Sequence, residues 1–142
     1  MPFDVQAATK SFFDRAAVAD AVDKGTKRAL SKFGAFVRTR ARSSIRKRKK
    51  VSEPGKPPSS HRGTLKKLLF FAFDPVAKSV VVGPVPFSKA EAPPLLEYGG
   101  SATRTKKSGG TKTANYRPRP FMGPAFKAEL PKAPQLFKDA IK

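Results

Sequence analysis

From Val18 onward, small or apolar residues recur at Val22, Thr26, Ala29, Phe33, Val37, Ala41 and Ile45, three or four positions apart throughout. That spacing lines one stripe of an α-helix, while Lys24, Lys27, Arg28, Lys32, Arg38, Arg42 and Arg46 fall on its other faces. Residues 7–22 carry a weaker form of the period and belong either to the same helix or to a separate one, with Gly25 as the candidate break. Asp4, Asp14, Asp20 and Asp23 precede the basic part, so the charge gradient suits a helix dipole before it suggests any function. The helix has to stop by Glu53, because Pro54, Pro57 and Pro58 follow.

Beyond a Pro/Gly/Ser loop at 52–63, the period changes from helical to alternating. Thr64 either caps a short helical turn, TLKKLL, or leads straight into a strand. LLFFAFDP and KSVVVGPV are β-rich runs joined through Asp74, Pro75, Val76 and Ala77. They predict an antiparallel hairpin with Phe71, Phe73, Val80 and Val82 on the buried face; Pro84 and Pro86 end its second strand. Residues 87–94 read as loop, and PPLLEYGG as a helical turn closed by Gly99 or Gly100. In the segment 101–116, Thr103, Thr105, Thr111 and Thr113 alternate with basic residues around Ser108-Gly109-Gly110. Two readings stay open there: an extended two-stranded arm turning at the glycines, or a flexible loop. Pro124 opens a last helix, which Pro131 and Pro134 kink or split. The expected fold class is α+β: a long N-terminal amphipathic helix and a C-terminal helix packed on a small antiparallel sheet, with long Pro/Gly-rich loops. One domain over 1–142 is expected from the length, enough to bury roughly two-thirds of the unfolded surface.

Charge changes this picture. Thirty Lys and Arg against ten Asp and Glu give a net charge of +20, a field that attracts polyanions or acidic proteins without any shaped pocket. The densest run, SSIRKRKK at 43–50, is expected at the frayed end of the first helix. No acidic residue lies between Lys24 and Ser52. The chain has no cysteine, which removes disulfides, thiol catalysis and thiolate metal sites. Its longest apolar stretch, LLFFAF, is too short to span a bilayer, and the N-terminus has no signal-peptide core. A soluble, unprocessed chain without membrane contact is expected.

Candidate chemistry is sparse. The single histidine, His61, sits beside Arg62 in the proline loop, with no orienting acid near it in sequence. The acids are scattered, so neither a metal site nor a carboxylate pair is expected, and no cofactor. GKPPSSHRG is no phosphate loop, since its prolines remove the amide donors. Sequence-specific nucleic-acid reading is not expected either, because no zinc-finger spacing or aromatic RNA-binding signature occurs. What remains from charge alone is nonspecific phosphate attraction, or a solvated basic helix end. A non-enzyme is the expectation.

One ordered set of motifs is more specific. PGKPPSSHRG leads into the first hairpin, DPVAKSVVVGP and LLEYGG follow, and RPRPFMGPAF opens the last helix. This order resembles the tailed-bacteriophage neck and tail-completion (head–tail joining) proteins, together with the related virion-morphogenesis proteins. The resemblance covers nearly the whole chain. It rests on Pro54, Gly55, Pro57, His61 and Gly63 in the loop, on Glu97, Tyr98 and Gly99, and on Arg119, Pro120, Phe121 and Pro124. The long basic insert at 101–116 and the two prolines of the closing helix depart from the usual pattern.

The resemblance implies a structural virion subunit. It would form a ring, with six subunits as the expected number, which joins or completes head and tail and surrounds the DNA channel. It implies self-association, adjacent neck or connector and tail-tube proteins as partners, nonspecific contact with passing genomic DNA, and assembly in the host cytoplasm into the virion. Arg42, Arg46, Lys47, Arg48, Lys49 and Lys50 are then the expected contacts to channel DNA or to an acidic partner. Thr103, Arg104, Lys106, Lys107 and Lys112 form the expected inter-subunit arm, adding to a neighbour's sheet edge. Glu97-Tyr98-Gly99 and Pro120-Phe121-Met122 are expected to act as fold determinants, with Gly99 taking a positive φ and Phe121 anchoring the last helix. The alternative is a free basic protein that binds nucleic acid through phosphates.

Overall fold

A computed structural model describes residues 15–85 and 92–141. The weak periodicity of 7–14, Asp4 and Asp14, Pro86 and the first part of the loop expected at 87–94 lie outside the described residues.

Helix α1 runs over Arg15–Ser44 without interruption and buries Gly25, Ala29, Phe33, Gly34, Val37 and Ala41. At 1.5 Å per residue it is about 45 Å long. Of the two readings, the single helix is the one observed, and Gly25 does not break it. An added Cβ there would stand 3.0 Å from the Ala140 carbonyl oxygen, so the missing side chain admits the C-terminal helix. The stripe also starts later than its pattern implies. Val18 and Val22 are half exposed, since they lie beyond the turn at which Ala140 and Ile141 pack on Gly25. Ile45 continues the stripe past the last helical residue and is fully buried.

Residues Thr64–Lys67 form the single turn α2. Thr64 is its first residue and not its cap, which is Gly63 at φ 76°. Strands β1 (Leu69–Asp74) and β2 (Ser79–Pro84) then pair antiparallel, with Phe71 opposite Val82 and Phe73 opposite Val80. These four share the half-buried face toward α1, as the alternation predicts. Asp74 Oδ1 accepts from the Val76 and Ala77 amides at 2.9 and 3.1 Å, which turns the chain between the strands. Gly34 is where the hairpin meets α1: a Cβ there would lie 2.5 Å from Val80 Cγ2 and 3.1 Å from Phe71 Cδ2.

Helix α3 (Ala92–Tyr98) leads into the second hairpin, β3 (Gly100–Thr105) and β4 (Thr111–Tyr116). Of the two readings of 101–116, the arm is the one observed: Thr103 faces Thr113 with their hydroxyls 3.1 Å apart, and Arg104 faces Lys112. The two hairpins form separate two-stranded sheets. Helix α4 (Met122–Glu129), a 3₁₀ turn (Leu130–Lys132) and α5 (Ala133–Ala140) close the chain. Pro131 and Pro134 sit in the first turns of the last two pieces, where a missing amide costs no hydrogen bond. The split is therefore a proline effect, and α1 is the main packing partner of the C-terminal segment.

The fold is α+β. Its core joins the α1 stripe to Leu65, Leu69, Phe121, Ala125, Leu136 and Ala140, with Phe121, Ile45, Leu69 and Val37 the largest fully buried side chains. Phe33 meets Phe126 edge to face at 5.8 Å, and Arg38 donates to the Leu69 carbonyl while lying over the Phe70 ring.

Among the described residues, one charged side chain enters this core. Glu129 is 3% exposed and pairs with Arg40 and, at 2.7 Å, with Lys132. The Lys132 hydrogen bond, seconded by Arg40, holds its carboxyl below the usual carboxylate range. A folded-state value below the unfolded one adds stability above the unfolded value, about 4.3, and loses it as pH falls through the folded one. Urea midpoints should therefore decline from about pH 4 downward. Glu129→Gln should flatten part of that acid limb and cost about 2 kcal/mol at neutral pH. An unchanged acid limb in the variant would show that Glu129 does not carry it.

Candidate nucleic-acid interface

The basic run leaves the helix. α1 ends at Ser44, so 46–50 do not lie on a helix end as the sequence reading expected. Ser43 and Ser44 donate their hydroxyls back to the carbonyls of Arg40 and Ala41, both at 2.8 Å, and so satisfy part of the helix C-terminus. After Ile45 the chain leaves the helix, bridging at Arg46 and bending at Lys49 and Lys50. Arg46 forms a parallel bridge with Ser59, its carbonyl accepting from the Ser60 amide at 3.0 Å, and Arg48 Nε donates to Ser59 Oγ at 2.9 Å. The basic run and the proline loop are thus stitched side by side.

Arg46, Arg48 and Lys50 line an open cleft of about 530 Å³, together with Lys56 and Pro57 of the loop. Lys47 and Lys49 are exposed but not part of its wall, and the Lys47 stem runs toward Gly63. Arg42 is half-buried in the last turn of α1 and stays outside the cleft as well. Glu53 is the acid in the wall, against four cations. Ser52 also lines it; its hydroxyl is buried with no partner among the described residues.

The loop also reaches the root of the arm. Gly55 N donates to the Pro118 carbonyl at 2.9 Å, and Arg119 Nε donates to the Ser52 carbonyl at 2.9 Å. Arg119 N donates to the Leu96 carbonyl, which ties the same point to α3. Gly99 stands at φ 74°, where a Cβ would meet the Tyr116 carbonyl oxygen at 2.9 Å. The motif segments at 54–63, 97–99 and 119–124 are therefore neighbours in space. Pro54 and His61 are exposed loop residues, Pro120 and Pro57 half-buried, and Pro124 lies exposed in the first turn of α4.

Glu97 is a fold determinant, as expected, but the way it acts was not foreseen in the sequence. Its carboxylate accepts from the amides of Phe121 and Met122 at 2.9 and 3.0 Å, and of Gly123 at 2.7 Å. It caps α4 from another helix. The signal was its lone negative charge just before a stretch, 98–128, that contains no acid.

The arm itself is open. Among its strand residues only Ala102 and Ala114 are half-buried, and Thr103, Arg104, Lys106, Lys107 and Lys112 are all exposed. At its root, Tyr98 is 82% and Tyr116 45% exposed. Among the described residues no group of three or more His, Asp or Glu comes together to hold a metal, and no described helix is long and apolar enough to cross a membrane. No protein-family model, curated protein or solved structure matches the chain.

Proposed function

We propose that the chain is a structural, non-catalytic subunit of a tailed-phage virion, acting in the neck or at the tail end as part of a ring through which DNA passes. Six subunits, neighbouring connector and tail-tube proteins, and assembly in the host cytoplasm belong to this reading. The β3–β4 arm carries it. A largely exposed two-stranded ribbon is marginal in water by itself, and among the described residues neither of its edges pairs with a further strand. Such a ribbon gains its missing partners by adding to a neighbour's sheet, and closed rings repeat one such contact. The convergence of the resembling motifs on the arm's root supports the same reading. Copies of a +20 chain repel one another, and a polyanion in the channel would offset that.

Native mass spectrometry and negative-stain imaging of the purified full chain test it. Rings are expected from the intact chain. Replacing 103–113 by a short Gly-Ser turn should release monomers whose thermal midpoint stays within a few degrees of the parent. Monomer alone at every concentration, together with virions that lack the protein, would remove this reading. The cleft favours a second reading, a free nucleic-acid-binding protein, marked by steeply salt-dependent duplex binding without assembly.

A further inference from the structure

We infer that the cleft between the basic run and the proline loop is a phosphate-binding site for a nucleic-acid backbone. This deepens the proposed function by naming the partner of the basic run. Three observations lead there. First, Arg46, Arg48, Lys50 and Lys56 line one cleft, with Glu53 the one acid among its described lining residues, a net charge of +3 over these five. Cations at a helix C-terminus are ordinarily explained by the dipole, which acts within the last turn. Lys50 and Lys56 lie six and twelve residues past Ser44, so the dipole does not account for them.

Second, the site is held before any ligand arrives. The Arg46–Ser59 bridge and the Ser60–Arg46 and Gly55–Pro118 hydrogen bonds fix both walls through main-chain atoms. Arg48 is oriented by Ser59 through Nε, and its remaining N–H donors form the planar fork that suits a phosphate. Preorganised walls lower the ordering cost of binding. Ser52 adds a hydroxyl that has no partner among the described residues.

Third, the cleft is joined to a second cationic element. The loop that forms its wall is hydrogen-bonded to 118 and 119 at the arm's root, and the arm carries Arg104, Lys106, Lys107 and Lys112 with no acid. A single phosphate ion would need only the cleft. Cleft and arm together suit a repeating polyanion, and Tyr98 and Tyr116 are exposed at the arm's root. An acidic protein surface offers no comparable regular spacing of charge, and nucleic acid is favoured for that reason.

The test is fluorescence anisotropy of a fluorescein-labelled 20-bp mixed-sequence duplex against the purified full chain, over a series of salt concentrations. One variant carries Arg46→Gln, Arg48→Gln, Lys50→Gln and Lys56→Gln. A second, with the same charge removed elsewhere, carries Lys27→Gln, Arg28→Gln, Lys32→Gln and Lys127→Gln, all exposed positions. Each lost phosphate contact flattens the slope of log K against log salt by about 0.9. The cleft variant should lose about 3 to 4 from the slope, and the matched variant less than about 1. If the fourfold cleft variant does not fold by circular dichroism, Arg48→Gln and Lys56→Gln are measured singly, each expected to remove about 0.9.

Equal slopes for the two fourfold variants would overturn the site, leaving only the overall field. Poly-glutamate bound as tightly as duplex, and lost only in the cleft variant, would overturn the nucleic acid in favour of an acidic protein. Failure of the chain to form rings would leave these binding results intact, so the two readings fail separately.

Discussion

Glu97→Ala should lower the stability of the chain by about 3 kcal/mol, from the loss of a helix cap and of charge-assisted hydrogen bonds together. The first amides of a helix have no partner inside it. In α4 the amides of Met122 and Gly123, with that of Phe121 before them, all point at one carboxylate. That carboxylate also sits at the positive end of the α4 dipole. Its removal leaves three donors without a partner and the dipole without its counter-charge. Glu97→Gln retains an acceptor oxygen and should recover about half of the loss. Glu97→Asp, one methylene shorter, should behave more like Ala. For a chain of this size 3 kcal/mol corresponds to a thermal shift of roughly 10 °C. A loss below 0.5 kcal/mol in urea denaturation would mean that water replaces the carboxylate without penalty, and the cap would then have no structural weight.

Phe121→Ala should be costlier still, at about 3–5 kcal/mol. The ring is 1% exposed and lies in the cluster that joins α1 to the C-terminal helices. Truncation opens a cavity bounded by elements that are themselves tied elsewhere, which limits collapse. Phe121→Leu keeps most of the volume and should cost less than about 1.5 kcal/mol. Because Glu97 holds the amide of the same residue, the double variant should fall short of the sum of the two losses by about 1 kcal/mol. Strict additivity would indicate that cap and ring act independently.

These two positions also illustrate what could be read in advance. Phe121 was legible, because Phe121, Ala125, Glu129, Ala133, Leu136 and Ala140 recur at helical spacing and belong to the core or its margin. The same stripe holds the signal for Glu129, a carboxylate on an otherwise apolar line. The buried face of the first hairpin was legible from alternation, since a one-residue slip would expose Phe71 and Phe73. Glu97 as a cap was not legible: its partners lie 24 to 26 residues away, and nothing local to either segment encodes their meeting. The same holds for Arg119 and Ser52, 67 positions apart.

The course of the basic run was hidden for a different reason. Periodicity is visible only where polar and apolar residues contrast, and 46–50 offer none, being basic at every position. A helix and an extended chain look alike in such a segment. The cleft went unseen because it exists only once alternate side chains of the run are set against the loop.

That uniformity makes the run tolerant of error. Were the run to slide by one residue against Ser59, basic side chains would again face the loop, and the wall would remain cationic. The Arg48–Ser59 hydrogen bond and the burial of Ile45 are what hold the frame. A segment that repeats the same charge on both sides protects its electrostatic character against small insertions and deletions, as an alternating pattern does not.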